Sequence, residues 1–102
     1  MAIAEITVVP IGTASPSVSQ YVAGALKVLE QEKDVKYKLT GMGTILEGEL
    51  PAVLEAARKM HESVFSDQIQ RVLTIIRIDD RRDRTASVER KLKSVAEKLA
   101  QS

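Results

Sequence analysis

The chain carries one histidine, His61, inside "MHESVF" at residues 60–65. A helix that holds zinc for peptide hydrolysis needs a second histidine four residues after the first, so that both ligands share a face. Position 65 is Phe65, which excludes that site. His61 then reads as a helix residue at the rim of the core, and Glu62 as a solvated neighbour. Cysteine is absent, which removes disulfides, thiolate metal ligands and cysteine nucleophiles together and fits a reducing compartment. Ser15, Ser17 and Ser19 cluster ahead of an apolar-periodic stretch. A serine nucleophile needs an adjacent base, and the strand-to-helix elbow motif is missing. Helix capping accounts for one of these serines. The others either serve the same end or line a polar site at the free N–H groups of a helix start.

Two further stretches hold charges in patterns that bear on chemistry. "RIDDRRDR", residues 77–84, looks basic, yet Arg77, Arg81, Arg82 and Arg84 are matched by Asp79, Asp80 and Asp83. Such density of counter-ions predicts a mutually paired turn rather than a phosphate patch. Arg77 and Asp79 belong to the preceding strand and point either to solvent or into an interface site. "GMGTILEGE", residues 41–49, alternates like a strand but contains three glycines and two glutamates. A hairpin accounts for Gly41 and Gly43. Gly48 lies inside the strand, where glycine marks a bulge or a close approach. With a period of two, Thr44, Leu46 and Gly48 share one face and Gly43, Ile45, Glu47 and Glu49 the other. Glu47 is either exposed or aimed at a ligand, and alternation leaves both open.

These residues need a scaffold. At 102 residues the chain reads as one domain, residues 1–102, with enough surface to bury for a single core. "IAEITVVPI", residues 3–11, is a β-branched strand. Residues 16–32 form an amphipathic helix with Ser15 as cap and Pro16 in the first turn. "VKYKLTG" alternates as a half-buried strand near an edge, with Val35, Tyr37 and Leu39 on one face and Lys36, Lys38 and Thr40 on the other. "TILEGEL" completes a hairpin. Pro51 opens a second helix with Val53, Ala57, Met60 and Val64 as its stripe. "RVLTIIRID", residues 71–79, is apolar on both faces and predicts a central, doubly covered strand. Val88, Leu92, Val95 and Leu99 mark a C-terminal helix. The order predicts an α+β, ferredoxin-like βαββαβ fold with an extra C-terminal helix. The open sheet face is expected to be covered by that helix, a second subunit, or both, so a homodimer or tetramer through the sheet face is expected.

Fifteen basic residues against fourteen acidic, with three aromatics in all, argue against nucleic acid as a partner, which would call for a basic stripe and stacking rings. The first residues lack a basic n-region, and no apolar run reaches membrane-spanning length. The expectation is a cytoplasmic chain with no membrane contact.

The segments "VPIGTASPSVSQYVA", "MGTILEGE", "MHESVF" and "RVLTIIRIDDRRDR", in this order and spacing, resemble the small thiamine-binding-protein family, the YkoF-like group, over nearly the whole chain. That resemblance implies a ferredoxin-like fold, assembly into dimers and tetramers, and binding of thiamine or its hydroxymethylpyrimidine part without catalysis. It implies that Ser17, Ser19, Tyr21, Thr44 and Glu47 line the site, joined by Arg77 and Asp79 from the last strand. The loop departs from the family pattern at Ala14 and Pro16, which leaves the position of Ser15 open. The chemistry is compatible: an aminopyrimidine presents donors and acceptors that a carboxyl and a hydroxyl satisfy, a carboxylate favours the thiazolium charge, and Tyr21 or Met42 offers a wall for a flat ring.

The reading is a non-enzymatic binding protein for thiamine or its pyrimidine moiety, with no cofactor and no metal. The unphosphorylated ligand is preferred because no glycine-rich phosphate cradle is visible. The alternatives are an oligomeric regulatory or interaction module without small-molecule chemistry, and an enzyme of thiamine diphosphate with Glu47 as acid or base, which lacks a metal-holding motif.

Overall fold

Alternating Ala2, Ala4 and Ile6, each almost wholly buried, make the first strand the inner wall of the core. A computed structural model describes residues 1–83 and 87–101. Its elements run β1 (Ala2–Pro10), α1 (Ser19–Leu29), β2 (Val35–Leu39), β3 (Thr44–Gly48), α2 (Leu50–Val64), β4 (Val72–Asp80) and α3 (Val88–Ala100). The four strands form one antiparallel sheet in the order β2-β3-β1-β4. This is the expected ferredoxin-like α+β plan with its additional C-terminal helix.

The register sorts every strand residue to a face. Ala4 pairs with Leu46 and Ile78, and Ile6 with Thr44 and Ile76; these face α1 and α2. Ile3 pairs with Glu47 and Asp79, and Glu5 with Ile45 and Arg77; these face the other way. On the covered side, α2 supplies Val53, Ala57, Met60 and Val64, all buried, as its spacing predicts. Full burial of a side chain such as Val53 contributes about 1.5–3 kcal/mol. From α1, Ala25 and Leu29 complete the core.

Four expectations are corrected. The first helix begins at Ser19, with Val18 as N-cap and no side-chain cap, rather than at Pro16. Local bonds claim the preceding polar residues instead: Ser15 Oγ accepts from Ser17 N at 3.1 Å, and Thr13 Oγ1 donates to the Ser15 carbonyl at 2.7 Å. Next, β4 is an edge strand, paired only with β1, and its outer side chains Leu73 and Ile75 are more than half exposed. The third correction concerns α3, which has no buried residue, so it does not cover the open sheet face; Leu92, Val95 and Leu99 lie exposed along it. Finally, Tyr37 and Leu39 are exposed although their strand mate Val35 is buried, because β2 lies at the opposite edge.

Gly48 is a close-approach glycine, as its place inside a strand suggests. A Cβ there would stand 2.7 Å from the Asp34 carbonyl oxygen. Gly43 is also pressed, with a would-be Cβ 3.0 Å from the Ile6 carbonyl. Neither it nor Gly41 has a positive φ, so packing, not turn geometry, sets the need for glycine at 43. Gly12, with φ at 89°, turns the chain out of β1.

Candidate functional site

Where α1 begins, β1, the β2–β3 hairpin and the first turns of the helix stand apart far enough to leave a cavity of about 630 Å³. Ile6, Val8, Val22, Leu26 and Met60 form its apolar walls. The hairpin roofs it: Thr40 Oγ1 donates to the Gly43 carbonyl at 2.7 Å, and Thr7 Oγ1 donates to the Met42 carbonyl at 3.1 Å, tying the tip to β1. Met42 is 83% exposed at the mouth. The lining contains no Asp, Glu, Lys, Arg or His.

Thr44 is the polar group set deepest. It is 4% exposed, faces the helices and lines the cavity. No hydrogen bond joins its hydroxyl to another described residue, whereas among the described residues no sealed polar side-chain atom lacks a partner, so this oxygen opens into the cavity. A buried hydroxyl without a partner is costly unless something completes it. Ser17, Ser19 and Tyr21 line the same space from α1 and the loop before it, with the two serine oxygens 3.5 Å apart.

The structure therefore brings together Ser17, Ser19, Tyr21 and Thr44, and separates them from Glu47, Arg77 and Asp79. The grouping with Glu47 is corrected by the pleat, which puts positions 44 and 47 on opposite faces of β3. Glu47 Oε1 accepts the Val88 backbone N–H at 3.0 Å, meeting one of the unpaired donors at the start of α3. Asp79 pairs with Lys91, one turn further along that helix. Arg77 Nη2 donates to Glu5 Oε1 at 2.5 Å across the open face. These three residues fasten the open face and α3. Sequence reasoning did not assign Ile6, Val8, Leu26 or Met60 to the site; their pattern signals core and nothing more.

The remaining candidates resolve simply. His61 Nδ1 lies 2.6 Å from Thr74 Oγ1 and meets the Phe65 ring edge-on at 5.2 Å, which fits a rim position. The acidic and basic turn pairs internally, Arg81 with Asp83 and Arg82 with Asp80. The hydrogen bond from Arg82 holds the Asp80 carboxyl below its ordinary pKa. Arg84 lies outside the described residues. Among the described residues no cluster of His, Cys, Asp and Glu is set to hold a metal, and no helix is long and apolar enough to cross a membrane.

Sheet order, helix placement and a neutral cavity at the start of α1 define a small ferredoxin-like α+β protein with a hollow between sheet and helix. The chain belongs to the thiamine-binding protein family, whose model matches residues 4–96. It is 48% identical over 102 residues to UPF0045 protein YqgV of Bacillus subtilis, covering 97% of this chain and 98% of that one. The crystal structure of the hypothetical protein MJ1052 of Methanocaldococcus jannaschii superimposes with a TM-score of 0.84 at 38% identity, covering 94% of this chain and 96% of that one. A Thermotoga maritima protein provisionally assigned to thiamine biosynthesis or salvage shares the fold, with a TM-score of 0.75 at 17% identity over 92% of this chain and 97% of that one.

Proposed function

We propose that this chain binds the hydroxymethylpyrimidine part of thiamine, or thiamine itself, and performs no chemistry on it. The observation that carries the reading is Thr44: a hydroxyl 4% exposed, without a partner among the described residues, at the wall of an apolar cavity. A flat nitrogen heterocycle supplies the missing partner and fills the apolar space, which is the usual composition of a small-molecule site. The family name supports the same ligand class. Because the lining holds no carboxylate, the thiazolium of thiamine gains no counter-charge there, and the neutral pyrimidine alone is favoured. Among the described residues no histidine, carboxylate or lysine and no metal-binding set faces the cavity, which supports carriage, buffering or sensing over turnover. Isothermal titration with hydroxymethylpyrimidine and with thiamine tests this. Binding of the pyrimidine at least as tight as that of thiamine is expected, and no heat with either at millimolar concentration would remove the proposal.

A second property rests on a separate observation. Leu73 and Ile75 on the open face, and Leu92, Val95 and Leu99 on α3, leave two apolar surfaces uncovered in the single chain. We infer that copies of the chain associate through them as a dimer or tetramer, since surfaces of this kind mark association sites. Light scattering that returns the mass of a monomer at micromolar concentration would end that inference and leave the ligand reading intact.

A further inference from the structure

The chain's three methionines stand in three settings, and one of them both meets solvent and borders the ring cavity beside Thr44. Met60 lines that cavity from α2 but is only 2% exposed. Met1 is exposed, yet it precedes Ala2, which pairs with Gly48 at the end of β3 remote from Thr44. Met42 is 83% exposed and lines the ring cavity from the tip of the β2–β3 hairpin. No cysteine competes with these thioethers for an oxidant.

Hydrogen bonds fix the backbone of Met42 and leave its side chain in solvent. Its carbonyl accepts from Thr7 Oγ1 at 3.1 Å, and its N–H donates to Thr40 Oγ1 at 3.4 Å. Next to it, a Cβ at Gly41 would meet nothing within 4 Å, so that flank of the tip is open. An unbranched thioether is flexible and makes favourable contacts with aromatic rings. From this fixed base it can turn down over a flat ring held beside Thr44.

We propose that Met42 is an oxidation-sensitive cover of the ring site. As the thioether it closes over the bound ring, and as the sulfoxide it lets the ring go. The inference rests on the ring-binding reading above and adds a chemical control of it. The oxidant is a hydroperoxide. A sulfur lone pair attacks its terminal oxygen, and the S–O bond forms as the O–O bond breaks. The proton of that hydroxyl passes to the departing oxygen, which leaves as water or an alcohol. Sulfur gives up two electrons and the peroxide takes them. The product is a polar side chain that keeps its water rather than lie against an apolar ring and walls, so the mouth stands open. Met60 is sealed from the oxidant by its burial, and reduction of the sulfoxide returns the cover.

Limited treatment of the full chain with hydrogen peroxide, read by peptide mass spectrometry and by titration calorimetry with hydroxymethylpyrimidine, tests the proposal. Met42 is expected to gain one oxygen well before Met60, and saturating pyrimidine is expected to slow that gain. The oxidised chain is expected to bind the pyrimidine about tenfold more weakly, the loss of one apolar wall. Methionine sulfoxide reductases acting on both epimers should restore the affinity. Met42→Leu keeps an apolar cover without the sulfur, at an exposed position where folding is not at stake, and its own affinity should not change on the same treatment. Oxidation of Met60 as fast as Met42, no protection by the pyrimidine, or an affinity unmoved by full oxidation of Met42 would each overturn the cover while leaving ring binding in place. A loss that reduction does not reverse, or an equal loss in treated Met42→Leu, would overturn it too. Absence of binding before any oxidation would instead remove the ring reading, and the cover with it.

Discussion

Thr44 and Glu47 stand three residues apart on one strand and do unrelated work. The hydroxyl of Thr44 is inside the cavity without a partner among the described residues, while the carboxylate of Glu47 meets the Val88 N–H on the far side of the sheet. Replacing the hydroxyl by a methyl, Thr44→Val, keeps the shape and removes the polar group. Affinity for the pyrimidine is expected to fall about tenfold, with no loss of thermal stability, because the protein gives up no internal hydrogen bond. Titration and a melting curve on the same sample check both halves. Glu47→Ala is expected to leave that affinity within twofold and to lower helicity measured by circular dichroism, since α3 loses an acceptor at its first turn. The period-two pattern already put 44 and 47 on opposite faces, and only the family resemblance drew them into one site. What alternation could not reveal was that Glu47 has a structural partner forty-one residues away.

At the scale of elements, the strands and helices were legible because their apolar periods are strong, α2 above all. The start of α1 was not. Ser15 and Pro16 imitate a helix cap, but the Thr13–Ser15–Ser17 bonds spend those polar groups on a turn that becomes the rim of a polar hollow at the start of α1. The position of β4 was also hidden, since an apolar edge strand and a buried central strand have the same composition until something is known to cover the edge. Gly48, by contrast, announced its close approach from its place inside a strand. Gly48→Ala would press a methyl against the Asp34 carbonyl and is expected to cost about 1–3 kcal/mol, measured by urea unfolding. Gly48 shares the Thr44 face of β3 but stands at the far end of the strand and does not line the ring cavity, so any remaining folded protein should bind the pyrimidine normally.

For the whole molecule, one face of the sheet carries the core and the cavity at Thr44, and the other stands open with Leu73 and Ile75 exposed; the proposed function gives the first to the ligand and the second to association. The α+β plan could be read from element order, and the cavity could not, because a site lined by Ile, Val, Leu and Met is written in the same residues as a core. Division of labour between the faces makes separable predictions. Ile75→Asp, on the open face, is expected to reduce the assembly mass in light scattering and to leave pyrimidine affinity unchanged. A lining free of charged side chains predicts that affinity for the neutral ring stays flat between low and high salt, checked by titration in both. The most direct test is a crystal structure of the chain soaked with the aminopyrimidine. Flat density between α1 and β3, with a ring nitrogen or amine within hydrogen-bonding distance of Thr44 Oγ1, is the predicted result. Ring density on the open face beside Glu47, with the space at Thr44 filled by water alone, would contradict it.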